Sequence, residues 1–216
     1  MIDKPASCTG CPWFQTGKGY IHDDNSTGVP VFFLNGYPDH VEEDTGKTAQ
    51  GQAGNDLVSN FLPLAGLVWG EAAQSASVLK CRWQGQDDPP GDTAQDLAIG
   101  YCSGHHLHVP TGTTLIVVQG KIAFNYAHGG NLRDPDGKPA SLSDWRGFLL
   151  PLQYTRARFG EIPVYVTLGI ADLYQNPGME TVTEWDYLKI RNILNGSYPK
   201  PLPPNIICSS ENKHEY

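Results

Sequence analysis

Four short apolar runs, separated by stretches of helical periodicity, constrain the fold of this chain more than any other feature. They are Pro30-Val31-Phe32-Phe33-Leu34, the segment 75–79 leading into Cys81, Thr114-Leu115-Ile116-Val117-Val118, and Pro163-Val164-Tyr165-Val166-Thr167-Leu168. Runs apolar on consecutive rather than alternate residues are buried on both faces, which is the habit of strands in a parallel sheet. Between them, Leu57, Val58, Phe61 and Leu62 share one helical face, with Pro63 and Gly66 as kink and stop. Gly120 opens a second helix through Ala127. A last helix over 183–194 offers Trp185, Leu188 and Ile193 to the sheet and Glu184, Lys189 and Arg191 to solvent. The alternation predicts an α/β fold, a single three-layer α/β/α domain around a central, mainly parallel four-stranded sheet. Residues 1–195 form that domain, and 196–216, with Pro199-Lys200-Pro201-Leu202-Pro203-Pro204, a stiff C-terminal arm. In such sheets ligands bind where strands end and helices begin, so 35–44, 80–85, 119–121 and 169–172 are the loops to watch.

At 216 residues with 39% hydrophobic content, the chain supports one substantial core. No apolar run has signal-peptide length, and none approaches the roughly 20 residues that span a bilayer. The expectation is a cytoplasmic protein without a membrane partner, whose five cysteines are metal ligands, catalytic thiols or core residues rather than disulfides. A formal charge of −8 works against nonspecific DNA affinity, which comes from Lys and Arg neutralising phosphates. Basic residues nevertheless gather locally, as Lys80 with Arg82, Arg156 with Arg158, and Lys189 with Arg191.

The cysteines are spaced for a metal centre. Cys8-Thr9-Gly10-Cys11 puts two thiols in one tight turn, as in zinc and iron–sulfur proteins. Cys81 stands at a strand end and Cys102 on the following helix-like segment, which completes a four-thiolate set. On thiolate chemistry alone, zinc and an iron–sulfur cluster are both open. His105, His106 and His108 fall nearby but are more simply a solvated helix end.

In this order and spacing the chain resembles the family 4 uracil-DNA glycosylases, the iron–sulfur type within that superfamily. Those proteins begin with Cys-x-x-Cys, carry a strand ending in Val-Val-Lys-Cys-Arg-Pro, here Val78-Leu79-Lys80-Cys81-Arg82, and place a fourth cysteine on the next helix. The resemblance implies a [4Fe–4S] cluster on Cys8, Cys11, Cys81 and Cys102, with zinc as the alternative and Cys208 as a spare thiol. Asn35-Gly36-Tyr37-Pro38-Asp39 resembles the family's Gly-Glu-Ala-Pro-Gly, and Gly46-Lys47 through Gly51-Gln52-Ala53-Gly54 its Gly-Arg-Pro-Phe-Val-Gly-x-Ala-Gly. Val117-Val118-Gln119-Gly120-Lys121-Ile122-Ala123 resembles Val-Ala-Leu-Gly-x-x-Ala.

Departures concentrate at the chemistry. On that correspondence the family's motif Glu falls on Gly36, the aromatic that stacks on uracil on Ala49, the Asn before Val-Val-Lys-Cys on Ser77, and the loop His on Gly169. With Asn35 and Tyr37 these positions make up the expected base pocket, widened where side chains are lost. Glycosidic cleavage still needs a carboxylate or polarised water near the sugar, so Asp39, His40 and Asp172 are the replacement catalytic candidates. Tyr37-Pro38-Asp39-His40 is similar to the Asp-Pro-Tyr-His segment of the classical uracil glycosylases in altered order. Capping is the competing role for Asp39 and Asp172. Lys80, Arg82 and Lys121 are candidate DNA contacts. Two functions follow from the resemblance: a DNA glycosylase-like protein acting on a flipped, bulky or modified base, or an inactive glycosylase-fold protein binding nucleic acid or a protein partner. A small divergent relative of this family suits a bacterium or a phage.

Overall fold

The computed structural model describes residues 4–22, 28–83, 92–134 and 136–197. The expected C-terminal arm lies, but for its first two residues, outside them. In chain order the strands are β1 (Gly17–Lys18), β2 (Val31–Asn35), β3 (Ala73–Ser77), β4 (Arg82–Trp83), β5 (Leu115–Gln119) and β6 (Val164–Thr167). The helices are α1 (His40–Thr45), α2 (Gly51–Asp56), α3 (Leu62–Leu64), α4 (Asp92–His106), α5 (Gly120–His128), α6 (Leu142–Trp145), α7 (Leu152–Phe159), α8 (Ile170–Gln175) and α9 (Glu180–Leu194).

The central sheet has the order β3-β2-β5-β6, and every pairing in it is parallel. Alternation along the strands sorts the core into two layers. Val31, Phe33, Val117 and Tyr165 point to the side covered by Leu57, Phe61, Leu62, Tyr187 and Ile190. Phe32, Leu34, Val118 and Val166 point to the other, covered by Ala123, Phe124, Ala127 and Phe159. The three-layer α/β/α architecture expected from the apolar runs is the one observed.

Two local expectations shift for physical reasons. The helical stretch before Pro63 is split: α2 passes into a π-turn at Leu57–Phe61, in which the Leu62 amide donates to the Leu57 carbonyl, before the short α3 that contains Pro63. Proline has no amide to continue an α ladder, and the wider turn accommodates the break. Gly66, at φ 72°, then ends it. In α9, Trp185 is 62% exposed, and Tyr187 and Ile190 cover the sheet instead. Among the described residues no helix is long and apolar enough to cross a membrane.

Because β2 leads to β3 on one side while β5 and β6 lie on the other, the strand order reverses between β2 and β5. The crevice beyond their carboxyl ends is the place such a sheet offers to a ligand.

Candidate functional site

A cavity of about 410 Å³ occupies that crevice. Segments from the ends of β2, β5 and β6 and from the loop into α2 converge on it: Asn35, Gly36, Tyr37 and Asp39, then Ala49, then Lys121, then Gly169 and Asp172. Each of these was expected at a site from sequence. The remaining site candidates, His40, Ser77, Lys80 and Arg82, stand elsewhere. His40 is the exposed first residue of α1 and does not line the cavity. Ser77 is buried at the end of β3, and Ser75, one pleat repeat deeper on the same face, lines the cavity instead. Its hydroxyl is buried without a hydrogen-bond partner.

Asp39 caps α1. Its Oδ1 accepts the amides of Val41 and Glu42, each at 2.8 Å, and Glu42 Oε2 accepts the Asp39 amide at 3.0 Å, closing a capping box. Its Oδ2 lies against the bare Cα of Gly51, where a Cβ would sit 2.2 Å away. Asp172 performs a similar task, Oδ2 accepting the Gly169 amide at 3.1 Å at the start of α8. The capping role weighed for both carboxylates is therefore real, and both still line the cavity.

Glu42 is a candidate site residue that the sequence reading did not name. It is buried, lines the cavity, and its second oxygen accepts the Ala49 amide at 2.6 Å. That bond helps hold Ala49 at φ 54°, the sole non-glycine residue with positive φ among those described, a backbone cost of about 1–2 kcal/mol. Burial pushes the Glu42 carboxyl up to about 7, the range of a general acid or base working near neutrality. Its neighbour Glu43 points the other way and pairs with Lys18 at 3.3 Å and Arg82 at 3.2 Å. Arg82, a candidate phosphate contact, is thus held by a buried carboxylate.

The raised Glu42 carboxyl carries a stability prediction. Between about 4.5 and about 7 the folded protein keeps a proton that the unfolded chain has released, so stability falls as pH rises through this window, by up to about 3 kcal/mol. The melting temperature of wild type is expected to drop by about 6–12 °C more than that of Glu42→Gln between about pH 5 and about pH 8. Equal pH slopes would show that Glu42 ionises normally in the fold.

The four cysteines meet at a second cavity. Cys8 lies in a 3-10 turn at Ala6–Gly10, and the Cys11 amide donates to the Cys8 carbonyl at 2.9 Å. The N-terminal segment reaches Cys81 because β1 pairs antiparallel with β4 and the Ile21 amide donates to the Lys80 carbonyl at 2.9 Å. Cys102 comes from α4, its Sγ accepting the Lys80 amide at 3.3 Å. His106 Nε2 stands 3.3 Å from Cys8 Sγ. Trp13, Leu79, Ala98 and Trp83 pack around the sulfurs. Lys80 is only 1% exposed, so a DNA phosphate does not reach its side chain in this conformation.

Burial pushes the Cys102 thiol up to about 12 and the Cys81 thiol to about 11, and raises Cys8 as well. A cation would be needed to hold these sulfurs as thiolates. One zinc ion would draw four sulfurs to about 3.8 Å from one another. Among the described residues no group of three or more His, Cys, Asp or Glu side chains is arranged to hold one metal ion. Four thiols around one small cavity are a donor set whose chemistry zinc and an iron–sulfur cluster would both accept. No protein-family model matches this chain, and no curated protein matches it.

Proposed function

We propose that this chain is a DNA glycosylase-like iron–sulfur protein that takes a flipped base, larger than uracil, into the cavity between β2 and β5. Cys8, Cys11, Cys81 and Cys102 hold a [4Fe–4S] cluster, which, when bound, supplies the charge that keeps the buried Cys8, Cys81 and Cys102 sulfurs ionised and cross-links three distant segments. The observation that carries the reading is the gathering of four separated segments, those that resemble the family's motifs, on one cavity at the switch point.

Hydrolysis at the anomeric carbon adds water there and releases the base with a proton. Asp39 is the carboxylate for the developing oxocarbenium charge or for the attacking water, positioned by its capping box with Glu42. Asn35 offers its amide to the departing base, while the buried Gln119 amide donates to the Tyr187 hydroxyl at 2.6 Å, and exposed Lys121 stands at the rim for a phosphate. Commitment of Asp39 and Asp172 to helix caps, together with the charge of −8, favours a second reading: a noncatalytic protein that binds nucleic acid or a protein partner on the same scaffold.

Mass spectrometry of bases released by anaerobically purified, cluster-loaded protein from DNAs containing uracil, hypoxanthine or bulky modified pyrimidines separates the two. Release of one base is expected, at least about a hundredfold slower for Asp39→Asn. No release from any of these DNAs, with iron, sulfide and fold intact, would leave the binding reading.

A further inference from the structure

The shape of the cavity narrows what it accepts. The lost side chains at Gly36 and Gly169 do not open it: a Cβ at Gly36 would lie 2.9 Å from the Ile122 Cβ, and one at Gly169 2.9 Å from Asp172 Oδ2. Ile122 and Asp172 have filled those places, and both line the wall. Ala49 lines the cavity beside the wall made by Asp39 and Glu42. At the floor, the buried and unpartnered Ser75 hydroxyl awaits a hydrogen-bonding group that the protein itself does not provide.

Charge decides between a neutral and a charged substituent. Asp39, Glu42 and Asp172 line the cavity against one ammonium, that of Lys121. A neutral substituent would leave the Asp39–Glu42 wall without a counter-charge, an anionic one would be repelled, and a cation would be stabilised by both carboxylates. Glu42, raised by burial, is the side chain with most to gain.

Resting on the reading of this cavity as a base pocket, we propose that it selects a pyrimidine whose substituent carries an amine, seated beside Ala49 between Asp39 and Glu42, with Ser75 bonding the ring edge. The nearest simple probe is 5-aminoallyl-deoxyuridine, compared in one single-stranded sequence with deoxyuridine, 5-hydroxymethyl-deoxyuridine and 5-carboxy-deoxyuridine. Fluorescence anisotropy of the cluster-bearing protein at fixed salt is expected to give affinity for the aminoallyl oligonucleotide about tenfold above the hydroxymethyl one, with the carboxy one weakest. Asp39→Asn, which caps a helix as well as Asp does, is expected to lower that ratio at least threefold. A surface preference for positive charge would leave the ratio unchanged in Asp39→Asn and would overturn the proposal. Hydroxymethyl or carboxy binding equal to aminoallyl would overturn it while leaving the base pocket standing. Failure of every oligonucleotide to bind would overturn both.

Discussion

Cys102→Ser is expected to cost the protein most of its iron, by a factor of at least about ten in metal retained per chain, and with it the docking of residues 4–22. That segment buries few large apolar side chains, chiefly Trp13, Tyr20 and Ile21. It is otherwise tied down by the two-residue β1–β4 ribbon, by the Ile21 amide donating to the Lys80 carbonyl at 2.9 Å, by Tyr101 donating to the Ser7 carbonyl at 2.6 Å, and by Lys18 pairing with Glu43 at 3.3 Å. Isolated ribbons are marginal in water, so on the proposed reading the binding energy of a cluster would hold the segment. Iron and sulfide analysis combined with limited proteolysis reads both effects. Cys208→Ser, outside the proposed ligand set, serves as the control and should keep its iron. Wild-type protease resistance in an iron-free Cys102→Ser protein would mean that the four thiols are core residues and that apolar packing alone docks the N-terminus.

What was legible in the sequence follows from how each element is stabilised. β2 and β5 are uninterrupted apolar runs because the sheet buries both their faces, and they stood within a residue of their expected places. β3 is equally buried but reads Ala-Gln-Ser-Ala-Ser. Its polar residues hid it, and the expectation slid two residues on, to the apolar Val78 and Leu79. Ser77 was named a pocket residue by correspondence with the family's Asn before Val-Val-Lys-Cys, whereas the serine that lines the cavity is Ser75.

The sites divide in the same way. Cys8, Cys11, Cys81 and Cys102 were grouped because thiols at such spacing are rare, and they line one cavity. Glu42 did carry a signal in the sequence, because Asp39-x-x-Glu42 is a capping-box spacing and pairs the two carboxylates at one helix start. The burial of Lys80 had no sequence signal, since a lysine after a strand is exposed far more often than not. Nor did the occupation of the Gly36 and Gly169 positions, where Ile122 reaches Gly36 from α5 and Asp172 folds back onto Gly169 from the first turn of α8.

Gly54→Ala sets two rules of helix energetics against each other and is expected to show which wins at this pocket. Glycine in a helix interior is about 1 kcal/mol worse than alanine, so propensity alone predicts a gain from the substitution in α2. A Cβ at position 54, however, would lie 2.2 Å from the Ala49 carbonyl carbon, 2.5 Å from its oxygen and 2.7 Å from its Cα. All three are backbone atoms, so no rotamer change relieves the overlap, and Ala49 is already held at φ 54° by its bond to Glu42. Moving Ala49 breaks that bond, leaves a buried carboxylate oxygen without its partner and loosens the capping box that sets Asp39. The expected net loss is about 3 kcal/mol, a fall of roughly 6–12 °C in melting temperature at fixed scan rate, together with weakened oligonucleotide binding. Gly100→Ala in α4, whose Cβ would meet nothing within 4 Å, should instead raise the melting temperature slightly. If both substitutions stabilise, Ala49 does not rest on Gly54 in solution, and the wall of the cavity is looser than its contacts imply.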